Sequence, residues 1–250
     1  MEYIKVTKEN LEKEHICCAI SNNNDVQVAS KKSWMRYRFD DGLVFLKSVE
    51  RGKCFIEYIP AENAWNPIDA YGYMYIDCLW VSGSLKGHGY SNDLLGACID
   101  DSRAKGKKGL CILSSEKKKP FLADPKFLKY KGFSVADTAD NGIELWYLPF
   151  SPAAEPPKFK ECAKHPHIDD GGYVLYYTNQ CPFNAKYVPI VAETAKANSI
   201  PFKAIKIETK ADAQSAPTPI TTYALFYNGE YVTNEQMNDT KFLKLVSARK

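Results

Sequence analysis

The strongest chemical signal in the 250 residues is a pair of glycines just ahead of an amphipathic helix. In Leu79-Trp80-Val81-Ser82-Gly83-Ser84-Leu85-Lys86-Gly87-His88-Gly89-Tyr90-Ser91 an apolar run ends at Val81, and after a short connection Gly87 and Gly89 lead into the helix. Glycine lets the backbone turn tightly and approach a ligand closely. The first amides of a helix have no internal acceptors, and the helix dipole favours negative charge there. A diphosphate can therefore sit on residues 86–91, held by backbone N–H groups. The spacing lacks the third glycine of a dinucleotide fingerprint and the closing Gly-Lys-Ser/Thr of a P-loop.

The thiols carry weaker signals. Cys17, Cys18, Cys54, Cys78, Cys98, Cys111, Cys162 and Cys181 include no Cys-x-x-Cys pair. Several lie in apolar segments and read as small buried hydrophobes rather than a disulfide framework. Cys78 has no histidine beside it in sequence and reads as structural. Cys181 stands at a predicted helix start, where a thiol pKa can fall. Cys162, His165 and His167 are closely spaced but lack a second ligand pair, so no metal is expected.

These groups need elements to hold them. The first 150 residues alternate between helix and strand patterns. Residues 9–21 and 31–38 look helical. Strands are expected over 43–49 and 53–59, with Arg51-Gly52 as the turn, and then over 74–81, 110–113 and 144–148. A helix runs from about Tyr90 to Lys105, with Gly106 and Gly109 past its end. Ser151-Pro152-Ala153-Ala154-Glu155-Pro156-Pro157 breaks both patterns and reads as a linker, continuing irregularly to residue 171. Beyond it, strands are expected at 173–177, 202–207, 223–227 and 231–233, with helices at 182–198 and 241–248. Three segments follow: 1–150, a proline-rich linker at 151–171, and 172–250.

Bulk composition narrows the partners. The chain is 45% hydrophobic and 25% charged, ordinary for a globular protein. Thirty-three basic residues against 30 acidic ones give a net charge of +3, too balanced to expect nucleic acid. Lys117-Lys118-Lys119 reads as a solvated loop. The first residues carry no apolar signal region, and no apolar run approaches the ~20 residues that span a bilayer. A cytoplasmic protein without a membrane partner is expected. Oligomeric state is not legible.

Lys86-Gly87-His88-Gly89-Tyr90-Ser91 resembles the Arg/Gln-x-x-Gly-x-Gly/Ala motif of the GNAT superfamily, with lysine and serine at its two ends. Phe127-Leu128-Lys129-Tyr130-Lys131-Gly132-Phe133 is similar to the Gly-Phe segment that follows that family's last helix. The resemblance covers residues 1–150 and implies an α/β (α+β) fold, the GNAT acyl-CoA N-acyltransferase fold with its mixed, splayed central sheet. It further implies acetyl-CoA as co-substrate. The pantetheine arm would lie along Leu79, Trp80 and Val81, with the pyrophosphate on Lys86, Gly87, His88, Gly89, Tyr90 and Ser91.

The implied reaction is attack of a primary amine on the thioester in a ternary complex. It needs a base, commonly an acidic residue on the splayed strand. Asp77 is the carboxylate within 74–81, and alternation puts it on a face with Leu79 and Val81. Glu57, on the preceding strand, is the rival. The family's tyrosine acid falls at Leu128, so the acid is left open. The aromatic loop 57–67 could cap the site of a small-molecule or peptide amine acceptor.

Residues 172–250 resemble a thioredoxin-like αβ domain. The strand at 173–177, Gln180-Cys181-Pro182-Phe183-Asn184 at a helix start, and the Tyr223–Asn228 strand and turn carry that resemblance. Asn184 replaces the second cysteine of a dithiol pair, and the family's cis-proline position falls near Thr221. A binding or substrate-presenting module is therefore preferred over redox chemistry. Two alternatives to acetyl transfer stay open: an acyl-CoA-binding sensor without turnover, and a one-thiol redox module centred on Cys181.

Overall fold

Strand pairing begins with four residues not anticipated from the sequence, β1 (Tyr3–Val6). It is followed by α1 (Val26–Arg38), whose Asp25 cap accepts from the Gln27 amide at 2.8 Å. Such a cap contributes about 1 kcal/mol. Next come β2 (Val44–Ser48), β3 (Cys54–Pro60), the two-residue β4 (Ile68–Asp69) and β5 (Tyr73–Val81). Then follow α2 (Tyr90–Ala104), β6 (Gly109–Ser115), α3 (Pro125–Tyr130), β7 (Ser134–Thr138) and β8 (Ile143–Pro149). The structure is a computed structural model and describes residues 1–18 and 22–249.

Seven strands form one mixed sheet in the order β1-β2-β3-β5-β6-β8-β7. On one face α1 packs Val28 and Met35 onto Phe45, Phe55 and Ile59. On the other, α2 and α3 bring Leu94, Leu95, Cys98 and Leu128 against Ile56, Met74 and Ile76. Between β5 and β6, parallel pairing covers Tyr73, Met74 and Tyr75 with Gly109, Leu110 and Cys111 and then stops. Beyond Tyr75 the two strands part, which leaves an unpaired backbone edge on each.

Proline separates this sheet from the rest, yet the expected linker is not bare. It holds β9 (Lys158–Phe159), which pairs with β4, and the short helix α4 (Glu161–Lys164). The remaining elements are β10 (Tyr173–Tyr177), α5 (Asn184–Ala197), β11 (Phe202–Lys206), α6 (Lys210–Gln214), β12 (Tyr223–Tyr227), β13 (Glu230–Thr233) and α7 (Asp239–Ser247). Their sheet runs β11-β10-β12-β13, with β10 parallel to β11 and antiparallel to β12.

The differences from expectation have local causes. Residues 9–18 form turns and bends instead of a helix, while 19–21 lie outside the described residues. Gly109 is no helix cap. It opens β6, where a Cβ would come within 2.4 Å of the Leu148 carbonyl oxygen, so the close approach of β8 requires glycine there. Helix α3 starts with Pro125 in its first turn and an Asp124 cap, both legible signals that six residues are too short to make periodic. Among the described residues no helix is long and apolar enough to cross a membrane.

The two sheets touch through the loop after β3. Asn66 donates Nδ2 to the Pro219 carbonyl at 2.9 Å, and Gln214 donates Nε2 to the Ala64 carbonyl at 3.0 Å. Thr221 donates its hydroxyl to the Trp65 carbonyl. Trp34 and Trp65 meet edge to face at 4.4 Å beside Ile207, Ala213 and Ala216. The aromatic loop thus joins the halves.

Candidate active site

A cavity of about 520 Å³ opens where β5 and β6 part. Ile76, Leu79, Ile112 and Leu113 line its apolar side, and residues 120–123 cover it. Its opposite wall comes from the second half: Gln180, Cys181, Pro182 and Phe183 ahead of α5, Thr222 and Tyr223 at β12, and Asn234, Glu235 and Gln236 after β13. The cavity is therefore built by both halves.

Asp77 sits in this cavity because β5 is bulged. Tyr58 pairs with Ile76 and Glu57 with Cys78, so Asp77 is the extra residue. A bulge bends a strand and re-aims side chains. It also puts the alternation out of step. Tyr73 and Tyr75 before it share a side with Cys78 and Trp80 after it, whereas Leu79 and Val81 pack with Met74 and Ile76 on the opposite side. The face expected for Asp77, shared with Leu79 and Val81, is corrected accordingly.

Burial raises the Asp77 pKa well above the ordinary carboxylate range, and nearby Glu57 raises it further. Lys31 and a 3.0 Å hydrogen bond from Gln180 Nε2 pull it partly back. Glu57 on β3 meets Lys31 of α1, with Nζ at 2.6 and 2.7 Å from its two carboxylate oxygens. Both are buried. Burial works against the Lys31 charge, but Glu57, with Cys18 and Asp77, outweighs it and leaves its pKa raised. Glu57 is thus an ion-pair partner, while Asp77 is the carboxylate without a bonded cation.

Near the open end of β5 lies the glycine turn. Gly87 and Gly89 adopt φ of 85° and 82°, in the left-handed region. A Cβ built on either meets nothing within 4 Å, so the space in front of the turn is open. Asn92 and Asp93 both direct their amides at the Gly89 carbonyl. The amides of Tyr90 and Ser91, in the first turn of α2, lie ahead of the intrahelical ladder. Lys86 and His88 are exposed, and the His88 ring stacks on Tyr90 at 5.5 Å. Leu79 and Trp80 line the cavity; Val81 and residues 86–91 lie outside its lining.

Other sequence candidates lie apart or do something else. Cys78 and Cys181 line the cavity, and burial pushes both thiols up. Asn184 donates to the carbonyls of Thr178 and Thr222, tying α5 to the strands on either side. His165 pairs with Asp140 and His167 with Glu230. Among the described residues no group of three His, Cys, Asp or Glu is placed to hold a metal. Leu128 is buried and Tyr130 is exposed.

Lys31, Asn66, Gln180, Tyr223 and Gln236 enter the cavity or its charge network unannounced. The sequence singles out none of them as a site residue, although Gln180 and Tyr223 lie in segments it already marks, because Lys31, Asn66, Gln180 and Gln236 each bond a partner at least 26 positions away.

The chain is 41% identical over 248 residues, 99% of either chain, to a Bacillus subtilis (strain 168) protein named Uncharacterized N-acetyltransferase YoaP. A family profile described as YoaP-like matches residues 201–244. Among solved structures, a GNAT family acetyltransferase from Brucella melitensis in complex with acetyl-CoA is 15% identical, with 64% of this chain and 92% of that one covered and a TM-score of 0.40. An N-acetyltransferase from Staphylococcus aureus Mu50 is 17% identical, with 60% and 100% covered and a TM-score of 0.42.

Proposed function

Since the chain belongs to the N-acetyltransferase family that includes YoaP, we propose that it moves the acetyl group of acetyl-CoA to a primary amine by direct attack, with Asp77 as the base. The observation that carries this reading is the parting of β5 from β6 beside Asp77, with the glycine turn near the end of the same strand. An unpaired strand edge offers N–H and C=O groups to an extended amide-bearing arm, which can add to it like a strand. Leu79, Trp80 and Val81 supply that edge. The amides of residues 86–91 then meet the pyrophosphate.

The chemistry follows from what surrounds the amine. Its nitrogen attacks the thioester carbonyl carbon, the carbon–sulfur bond breaks, and CoA leaves as thiolate. The proton lost from nitrogen passes to Asp77. A carboxylate whose pKa lies above the ordinary range is a better proton acceptor near neutral pH than an exposed one. Glu57 holds Lys31 and keeps negative charge near Asp77, acting as a positioning residue. Residues 172–250, which we read as a thioredoxin-like domain, serve as the wall of the acceptor site. Residues 1–150 form the acetyl-CoA-binding unit.

Calorimetry with acetyl-CoA tests this, using the wild type and Gly89→Trp, followed by CoA release on addition of a panel of primary amines. Binding lost in the variant, with amine-dependent CoA release in the wild type, is expected. Absence of acetyl-CoA binding by the wild type would overturn the reading.

A further inference from the structure

Three side-chain amides lining the cavity have their orientation forced by their partners. Asn184 spends its Nδ2 on the carbonyls of Thr178 and Thr222, which can only accept. Its Oδ1 therefore takes Gln236 Nε2 at 2.7 Å, and Gln236 Oε1 is left over. With Asp77 ionised, as a base must be, Gln180 gives its Nε2 to Asp77 Oδ1 and leaves Oε1. Asn66 gives its Nδ2 to the Pro219 carbonyl, leaving Oδ1. All three leftover oxygens are buried without a hydrogen-bond partner, on residues only 4–8% exposed. Buried polar atoms are nearly always paired, so orphans sharing one cavity point to a missing donor.

The charges of the cavity agree in sign. Its described lining includes Glu57, Asp77 and Glu235 but no lysine, arginine or histidine. The cations nearest these groups are committed, Lys31 to Glu57 and Lys241 to Glu235. A ligand rich in N–H donors satisfies the three oxygens. A carboxylate or phosphate group has no N–H to offer these oxygens and would set its own charge against Asp77.

We infer that the acceptor is a small amine without negative charge, whose N–H groups are received by the side-chain carbonyls of Asn66, Gln180 and Gln236. This rests on the acetyl-transfer reading of the same cavity. Because Gln180 and Gln236 come from the second half, that half selects the substrate. The wall it forms also favours a free small molecule over a chain end on a folded protein.

Calorimetry on the CoA-saturated chain with matched pairs tests it: 1,4-diaminobutane against 4-aminobutanoate, glycinamide against glycine, and lysinamide against lysine. In every pair that binds, the member without a carboxylate is expected to bind at least about tenfold tighter. Gln236→Met, which keeps length but removes the acceptor oxygen together with the Nε2 donor to Asn184, should weaken binding of that member about tenfold. Melting curves check that the variant is folded, and the wild-type preference decides the matter without it. Equal binding, a carboxylate preference, or no binding by any pair would overturn the inference. The expected preference without acetylation when acetyl-CoA replaces CoA would instead overturn the acetyl-transfer reading and leave the amine site standing.

Discussion

Gln180 Nε2 lies 3.0 Å from Asp77 Oδ1, a hydrogen bond between residues 103 positions apart. It ties the carboxylate on the bulged strand to the segment just before α5. A neutral donor on a carboxylate favours its charged form, so the second half tunes the group that the first half positions. The same bond orients Gln180 and leaves its buried carbonyl oxygen without a hydrogen-bond partner. On the proposed roles, this one contact would join proton acceptance to substrate selection.

Asp77 and Gln180 should be separable by pH. A base works deprotonated, so kcat/KM should fall as pH drops through the raised Asp77 pKa. Asp77→Asn should lower kcat by about 10²–10⁴-fold with acetyl-CoA affinity little changed. Gln180→Leu removes an interaction that lowers that pKa, so the acidic limb should move to higher pH. A pH–rate profile of both variants checks this, and an unmoved limb in Gln180→Leu would count against the tuning role.

The glycine turn should answer to its backbone geometry. Gly89 has φ of 82°, a conformation that costs an L-residue about 1–2 kcal/mol. Gly89→Ala should lose about that much stability and bind acetyl-CoA about tenfold more weakly, since the new methyl enters the open space before the turn. Gly83, at φ of 66°, is the control: Gly83→Ala should cost stability with a smaller change in affinity. Denaturant melts and calorimetry on the pair distinguish strain from a lost contact.

The Lys31–Glu57 pair should behave as a buried ion pair does. Removing one partner leaves an uncompensated buried charge, so Lys31→Met should cost about 3–5 kcal/mol. Lys31→Met combined with Glu57→Leu should recover most of it, because a well-packed apolar pair often matches a buried ionic one. Urea unfolding of the single and double variants measures both.

Cys181 should be a slow thiol. It precedes α5, but burial raises its pKa, with the Gln236 contact at 3.1 Å only partly offsetting this. Alkylation followed by peptide mass spectrometry should show Cys181 reacting more slowly at neutral pH than the exposed Cys162. A fast, low-pKa reaction at Cys181 would revive the one-thiol redox reading.

Local order made part of this protein legible from residue types alone. The helix after Gly89, the strands around Val44, Phe55 and Ile76, and the turn of left-handed glycines follow from periodicity and from glycine's lack of a Cβ, which act over a few residues. So did Asp77 as the carboxylate of its strand. Tertiary structure decided the rest. The bulge that re-aims Asp77 exists only as a mismatch with Glu57 and Tyr58 on β3. The amides of Asn66, Gln180 and Gln236 read as ordinary polar residues until Pro219, Asp77 and Asn184 consume their donors. Hydrogen-bond orientation and burial depend on partners brought together by folding, and no spacing along the chain encodes them.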